Sequence, residues 1–118
     1  MAGATLKKEE RLSSFRLIEK VFCRDCSRSF SVYPLRVSYI PSNDGTQILV
    51  TVPKHCFKHA VDRNRIKRHI REAYRRNKGL LDKSVIMAFV WLSGDMLSSA
   101  ETEYRVRMIL KRINNADN

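Results

Sequence analysis

The sequence predicts a single α+β domain in which one sheet of about four strands packs with helices, in the order α-β-β-β-α-β-α. The chain has 118 residues, 43% of them hydrophobic, which suffices for one domain and one core. Apolar residues at helical spacing alternate along the chain with short β-rich runs. The sequence has no internal repeat and no long low-complexity linker, and it reads as one compact unit. Only residues 1–10 and the polar tail at 114–118 look poorly ordered, so the domain is expected to span residues 11–113, between a disordered start and a flexible tail.

The first helix is predicted to end near Phe22. Ser13 or Ser14 can cap its first turn, because a hydroxyl there accepts a hydrogen bond from a free backbone N–H. The apolar residues around this cap follow a near-helical spacing, and they are Leu12, Phe15, Ile18 and Phe22. Phe15 is expected to pack in the core.

Three strands are predicted next. The segment SFSVYPLRVSYIP, residues 29–41, is divided into two strands by Pro34, which cannot donate a hydrogen bond to a sheet. The segment QILVTVP, residues 47–53, supplies a third strand. The Asp44-Gly45 pair between these segments is typical of a tight turn and predicts a hairpin.

The second half of the chain predicts helix, strand and helix. The segment at residues 61–78 reads as a helix that ends near Gly79, and residues 84–91 form an apolar run typical of a strand covered on both faces. Ser98 and Glu101 have the spacing of a capping box at the start of the last helix. That helix carries an apolar stripe of four residues, Val106, Ile109, Leu110 and Ile113.

The helix at residues 61–78 is strongly basic. It holds eight Lys and Arg against two acids, and so supplies six of the eleven net positive charges of the chain. At about 100° per residue, one narrow arc is apolar and is expected to face the sheet: Ile66, Ile70, Ala73 and Tyr74. The opposite side gathers Asn64, Lys67, Arg68, Arg71, Arg75 and Lys78, while Arg65 and Arg76 flank Glu72.

A polyanion is the expected partner of this side, because its like charges repel one another in the free protein. A helix that only keeps a protein soluble would mix charges of both signs.

A membrane is disfavoured, because the apolar arc is committed to the core and no stretch approaches the ~20 apolar residues of a membrane span. Arg predominates over Lys, which suits bidentate contacts with phosphate oxygens, so a nucleic acid backbone fits best. The N-terminus lacks the apolar segment of a signal peptide, and a cytoplasmic location is expected.

The motif Arg63-Asn64-Arg65-x-Lys67-Arg68-x-x-Arg71 matches the basic helix of the protein subunit of bacterial ribonuclease P. The chain resembles this family over roughly residues 11–113, including the helix that ends in Val21-Phe22 and the Val52-x-Lys54 approach to the basic helix. The resemblance implies the same order of elements, with a left-handed crossover through the basic helix. That sense is contrary to the usual right-handed preference.

The resemblance implies an accessory role in removing the 5′ leader of precursor tRNA. An RNA subunit with bound divalent metal, expected to be magnesium, performs the hydrolysis, while the protein binds that RNA and the leader. The protein itself is expected to hold no cofactor, to supply no catalytic residue and to need no protein partner. The expected contacts with the catalytic RNA are Arg63, Asn64, Arg65, Lys67, Arg68, Arg71 and Arg75.

The resemblance also implies a cleft between the first helix and the sheet that holds the single-stranded leader. Single strands are bound by aromatic faces and positive grooves. The residues assigned to this leader cleft are Ile18, Phe22, Tyr33, Arg36 and Lys54. The family pattern differs at His55, which stands where a second Lys often follows Lys54. Phe22, Tyr33 and Tyr39 remain open between base stacking and packing in the core.

The cysteines raise a zinc hypothesis. Cys23-x-x-Cys26 and Cys56-x-x-His59 have spacings typical of zinc ligands. The two pairs are thirty residues apart in different elements, and the family fold needs no structural metal. No protein-bound metal is therefore expected. The odd number of cysteines, three in a chain large enough to form a core, predicts reduced thiols.

Two other functions remain as alternatives. A protein nuclease would need paired carboxylates around a metal or a positioned His base, but the acids are mostly isolated, and Glu101 and Glu103 would diverge on a helix. A structural RNA-binding protein of ribosomal type, with no role in tRNA processing, would use the basic helix equally well.

Overall fold

The structure is a computed structural model that describes residues 14–43 and 45–116. Its elements, in chain order, are α1 (Phe15–Phe22), β1 (Arg28–Val32), β2 (Leu35–Pro41), β3 (Gln47–Thr51), α2 (Ala60–Asn77), β4 (Val85–Trp91) and α3 (Ser99–Asn115). One turn of 3-10 helix, Lys78–Leu80, follows α2. The predicted α+β class and element order are confirmed. The predicted disordered start, residues 1–10, lies outside the described residues.

β4 lies inside the four-stranded sheet, whose order is β1-β2-β4-β3. It pairs antiparallel with β2 and parallel with β3, so hydrogen bonds join it to a neighbour on each side. Its residues are almost all buried, as expected for an apolar run covered on both faces. The chain passes from β3 to the parallel β4 through α2, and the left-handed sense of this crossover stays a prediction.

The prediction that Asp44-Gly45 closes a hairpin is wrong. β2 and β3, which flank this pair in the sequence, are not neighbours, because β4 lies between them. Gly45 does adopt a φ of 96°, a conformation that favours glycine; Asp44 lies outside the described residues. The hairpin in this part of the chain joins β1 to β2, where Val32 pairs with Leu35.

Helices cover both faces of the sheet. α2 and α3 pack on one face and bury the larger core cluster, to which β4 contributes Met87 and Phe89. α1 packs on the other face, where Val21 meets a smaller cluster that includes Ile86 and Ala88. Successive residues of β4 thus serve opposite clusters, because side chains alternate along a strand. The sheet therefore separates the surface beside α1 from the surface of α2.

Both predicted caps at helix N-termini are present. The Ser14 hydroxyl accepts a hydrogen bond from the N–H of Leu17 at the start of α1. At the start of α3, Ser98 and Glu101 form the reciprocal pair of a capping box. These short-range bonds define where each helix begins.

α3 continues through Asn115, beyond the predicted domain boundary at residue 113. Its last turn contacts the segment before β4, since the side-chain oxygen of Asn114 accepts a 2.7 Å hydrogen bond from the N–H of Asp82. The Lys83 ammonium also donates to the carbonyl oxygen of Ala116, at 2.9 Å. None of the helices in the described part of the chain has the length and hydropathy needed to cross a bilayer.

Candidate nucleic-acid interface

An apolar stripe fixes α2 against the sheet. Ile66, Ile70, Ala73 and Tyr74 are each no more than 2% exposed and belong to the larger core cluster. This is the arc predicted from the sequence. Because the stripe sets the rotation of the helix about its axis, it also fixes the direction in which the basic residues point.

The rest of α2 presents the predicted charge. Three of the predicted RNA contacts are exposed to solvent: Asn64, Arg65 and Arg68. The other four are half-buried: Arg63, Lys67, Arg71 and Arg75. The predicted contacts other than Arg63 form the basic face of α2, which consists of Asn64, Arg65, Lys67, Arg68, Arg71 and Arg75.

Arg76 joins α2 to α3 and is not part of the basic face. Its guanidinium lies 2.7 Å from the carboxylate of Glu72 and 3.4 Å from that of Glu103. The side-chain amide of Asn77 donates to Glu103 as well, at 2.9 Å. These contacts link the C-terminal half of α2 to α3.

Arg63 is engaged by the chain itself. Its Nη1 donates to the carbonyl oxygens of Phe57 and Lys58, at 2.8 and 3.0 Å. These bonds hold the segment that leads from β3 into α2. Arg63 thus acts first as a positioning residue, a role that the sequence did not reveal because its partners are backbone oxygens.

His69 lies among the arginines of α2. Burial lowers the pKa of His69 below its usual value, and the positive charges of Arg68 and Arg65 lower it further, whereas Glu72 raises it. Its Nδ1 is buried and has no hydrogen-bond partner among the described residues. The imidazole therefore stays neutral at neutral pH, next to a strongly positive surface.

On the side of the sheet covered by α1, a row of four residues crosses the strands. By register these are Ser31, Arg36, Val90 and Thr51. Arg36 is exposed, and its guanidinium donates to the hydroxyl of Ser29 at 3.4 Å. α1 packs instead on Ile40 and Ile86, towards the other end of the strands. The row lies on the face of the sheet where the leader cleft is predicted, and Arg36 is its one exposed cation.

α1 buries an aliphatic face and leaves its two aromatic rings towards solvent. Ile18 is half-buried against the smaller core cluster, beside Leu17 and Val21. Phe22 is 46% exposed and Phe15 is 74% exposed. The expectation that Phe15 packs in the core is wrong, because the aliphatic residues of α1 supply its buried face. Phe22 retains an open ring surface on which a base could stack.

The two tyrosines left open lie in different environments. Tyr33 lies in the turn between β1 and β2 and is 67% exposed, and its carbonyl oxygen accepts a 2.9 Å bond from Nε of Arg105. Tyr39 packs in the larger cluster, edge-on to Phe30 with the ring centroids 6.2 Å apart. Tyr39 therefore belongs to the face covered by α2 and α3, not to the leader cleft. Lys54 is exposed in the turn after β3.

The predicted cleft residues form two groups. Tyr33 and Lys54 flank the end of the sheet at which β2 begins, with Leu35. Phe22 is the last residue of α1 and precedes the turn into β1. The first residue of β1, Arg28, pairs with Tyr39 near the other end of β2. Leu35 and Tyr39 are about 13 Å apart at 3.3 Å per residue. A ligand that met both groups would have to run along the strands.

The zinc hypothesis is not supported by the positions of the cysteines. Cys23 and Cys26 lie in the turn after α1, whereas the Cys56 thiol donates to the carbonyl oxygen of Trp91 at 3.7 Å. In residues 14–43 and 45–116, no three His, Cys, Asp or Glu side chains come together in a way that could hold a metal ion. These same residues therefore include no group of three or more such side chains around which a metal-dependent protein nuclease could bind a metal ion.

Comparison with known proteins identifies similar sequences. The family model described as Ribonuclease P matches residues 6–114. The ribonuclease P protein component of Porphyromonas gingivalis is 46% identical over 81 residues, which cover 65% of this chain and 58% of that protein. The ribonuclease P protein component of Petrotoga mobilis is 37% identical over 81 residues, covering 66% and 64%. The matched segment is thus less than two thirds of the length of these curated relatives.

Solved structures share the fold. The RNase P protein from Thermotoga maritima superposes with a TM-score of 0.76 at 23% identity, and the match covers 87% of this chain and 96% of that one. A Staphylococcus aureus RNase P protein gives a TM-score of 0.75 at 17% identity, covering 92% and 98%. At these identities the likeness establishes the arrangement of one sheet and three helices.

Proposed function

The chain belongs to the ribonuclease P protein family, and we propose that it is the RNA-binding subunit of ribonuclease P. In this role it assists a catalytic RNA in removing the 5′ leader from precursor tRNA. The protein binds that RNA and the single-stranded leader. The hydrolysis and its magnesium ions belong to the RNA, so the chain is an accessory subunit of an endoribonuclease.

The basic face of α2 is the observation that carries this proposal. The buried stripe at Ile66 and Ile70 fixes the helix, so that Arg65 and Arg68 reach solvent from a rigid support. Contacts of Arg and Lys with phosphates release condensed counterions, which supplies affinity without reading sequence. This is the kind of binding that a large folded RNA requires of an accessory protein. The net charge of +11 supports the same partner.

We propose that the leader binds along the sheet face beside α1. Phe22 offers a half-exposed ring for one base, while Arg36 and Lys54 offer charges for phosphates. Tyr33 offers a second exposed ring in the turn between β1 and β2, at the other end of the strands. Because the sheet lies between this surface and α2, the chain can hold the catalytic RNA and the leader at once.

The family membership supports this function over a structural RNA-binding protein of ribosomal type. An add-back experiment tests the choice directly. Precursor tRNA is incubated with the protein alone, with a ribonuclease P RNA alone, and with both, at one magnesium concentration at which the RNA alone is slow. Cleavage at the leader junction should be absent with the protein alone and faster with both components than with the RNA.

Each of the other results contradicts the proposal. Cleavage by the protein alone would make the chain a nuclease. Equal rates with and without the protein, when the protein is shown to bind the RNA, would leave it a structural binder. A matched addition of an unrelated basic protein controls for charge neutralisation, and it should not reproduce the gain.

A further inference from the structure

Two of the three cysteines lie at the ends of one tight turn between α1 and β1. The N–H of Cys26 donates to the carbonyl oxygen of Cys23 at 3.1 Å. The same oxygen accepts the N–H of Ser27 at 3.1 Å and the Ser27 hydroxyl at 2.9 Å. A bond from residue i+3 to residue i defines a β-turn, whose end Cα atoms lie within about 7 Å. Disulfides span Cα separations of roughly 4.4–6.8 Å, so the turn holds the two cysteines at a suitable distance.

We propose that Cys23 and Cys26 are a modification site, a dithiol that closes reversibly to an intramolecular disulfide when it meets a small disulfide oxidant such as glutathione disulfide. Cys56 is not part of this site, because its thiol points to the carbonyl oxygen of Trp91. The Cys23-x-x-Cys26 spacing thus serves a disulfide and not a zinc site, so neither Cys56 nor His59 is needed.

The two thiols differ in a way that orders the reaction. A hydrogen bond from the Cys26 thiol, together with the N–H groups of Asp25 and Cys26, lowers the pKa of Cys23. The bond that Cys26 makes to Cys23 raises the pKa of Cys26. Because the thiolate is the nucleophile in disulfide exchange, Cys23 attacks first.

The exchange takes two steps. The Cys23 thiolate attacks one sulfur of glutathione disulfide, a mixed disulfide forms, and one glutathione leaves as a thiolate that takes up a proton. Cys26 then loses its proton and attacks the Cys23 sulfur, and the second glutathione leaves. The two protein thiols lose two electrons and two protons in total, and one glutathione disulfide becomes two glutathione molecules.

The site is open to an oxidant of this kind. Cys23, which attacks first, is only half-buried, and Cys26 is exposed. Cys26 also lines a pocket of about 300 Å³, whose walls include Arg28 and Lys83. Lys20 on the last turn of α1 adds positive charge near the Cys26 thiol. Glutathione disulfide is an anion at neutral pH, so this basic setting favours its approach.

Peptide mapping of the unaltered protein tests the proposal. The folded protein is equilibrated with mixtures of reduced and oxidised glutathione, quenched with acid, alkylated and digested with trypsin. Trypsin cuts after Lys20, Arg24 and Arg28, so the bridge should appear as peptide 21–24 linked to peptide 25–28. Peptide 55–58, which carries Cys56, should remain alkylated under the same conditions and serves as the internal control.

The equilibrium constant for closing the bridge is also measured in urea. Comparing it with the constant in the folded protein shows whether the fold favours the disulfide beyond what any Cys-x-x-Cys pair in an unfolded chain would give. The equilibrium constant for closing the bridge should be about tenfold larger in the folded protein than in urea, or about 30 mV in reduction potential. An equal or smaller constant in the folded protein would overturn the proposal. So would glutathione bound separately to Cys23 and Cys26, or a bridge from either of them to Cys56.

Discussion

Arg63 donates a 2.8 Å hydrogen bond from Nη1 to the backbone carbonyl oxygen of Phe57. The same nitrogen reaches the carbonyl oxygen of Lys58, at 3.0 Å. The first arginine of the basic motif therefore ties α2 to the segment that precedes it. This part of the chain also carries Lys54, one of the proposed leader contacts, so Arg63 fixes the path between the two proposed RNA-binding surfaces.

The first prediction follows from these bonds. Arg63→Ala should lower the free energy of unfolding by about 1–2 kcal/mol, because two carbonyl oxygens lose a charged donor. Arg65→Ala, the matched control on the exposed side of α2, should change it by less than about 0.5 kcal/mol. Urea unfolding of both variants gives the comparison. Equal stabilities for the two variants would mean that the Arg63 bonds contribute nothing to the fold.

The second prediction concerns the basic face. The double variant Arg65→Ala, Arg68→Ala should weaken binding to the catalytic RNA, and the slope of log affinity against log salt should fall by about one unit for each phosphate that the protein no longer neutralises. The matched control is Arg107→Ala, Lys111→Ala, which removes the same charge from exposed positions of α3. If the interface is α2, only the first pair changes the slope appreciably. Equal changes for both pairs would indicate attraction by net charge alone.

Local signals in the sequence predicted much of this arrangement. The apolar stripe of α2 and the Ser98-Glu101 capping box depend on residues three or four positions apart, so their patterns are complete within one segment. The buried run at residues 84–91 likewise indicated a strand covered on both faces. Patterns of this kind record which face of an element is buried, and those predictions are confirmed.

What the sequence could not reveal depends on contacts between distant segments. The Asp44-Gly45 turn is local, but whether β2 and β3 pair is decided by β4, which follows more than forty residues after β2 and inserts between them. Phe15 was wrongly predicted to lie in the core and Tyr39 was left open, because an aromatic residue suits a core as well as a stacking site. The role of Arg63 was hidden because backbone oxygens have no signature in sequence.

The third prediction tests the orientation of α2. Ile70→Asp should cost several kcal/mol, because it places a carboxylate without a partner at a position that is 0% exposed. Arg68→Asp introduces the same side chain on the exposed side and should have a much smaller effect on stability. Thermal unfolding of the two variants measures the difference. Similar melting temperatures would mean that Ile70 does not face the core.

The fourth prediction is a pH dependence. The pKa of His69 is lowered in the folded protein, chiefly by burial and then by Arg68 and Arg65. The unfolded chain, in which His titrates near 6.5, then binds more protons than the folded protein at a pH just below that value. The free energy of unfolding is therefore not reduced by His69 above about pH 6.5, and it decreases as the pH falls from there towards the pKa of His69 in the folded protein.

The measurement compares unfolding in urea at a series of pH values for the unaltered protein and for His69→Gln, which cannot titrate. As the pH falls below 6.5, the free energy of unfolding should decrease more for the unaltered protein than for His69→Gln. Parallel curves through this range would show that His69 titrates normally in the folded protein. High salt, which screens Arg65 and Arg68, should reduce the effect.

The last prediction concerns the leader surface and rests on Phe22, whose ring is 46% exposed. If this ring stacks on a leader base, Phe22→Ala should weaken binding of precursor tRNA to the assembled RNA-protein complex by ~1–3 kcal/mol, the usual value of one base–aromatic stack. Mature tRNA shares the tRNA body and lacks the leader, so its affinity should hardly change.

Tyr104→Ala removes a ring that is 60% exposed on α3, on the other side of the sheet, and should leave both affinities unchanged. Both affinities are measured at one salt concentration, with variants that unfold cooperatively and still bind the catalytic RNA. Equal losses for the two ligands, or none for either, would show that Phe22 does not contact the leader.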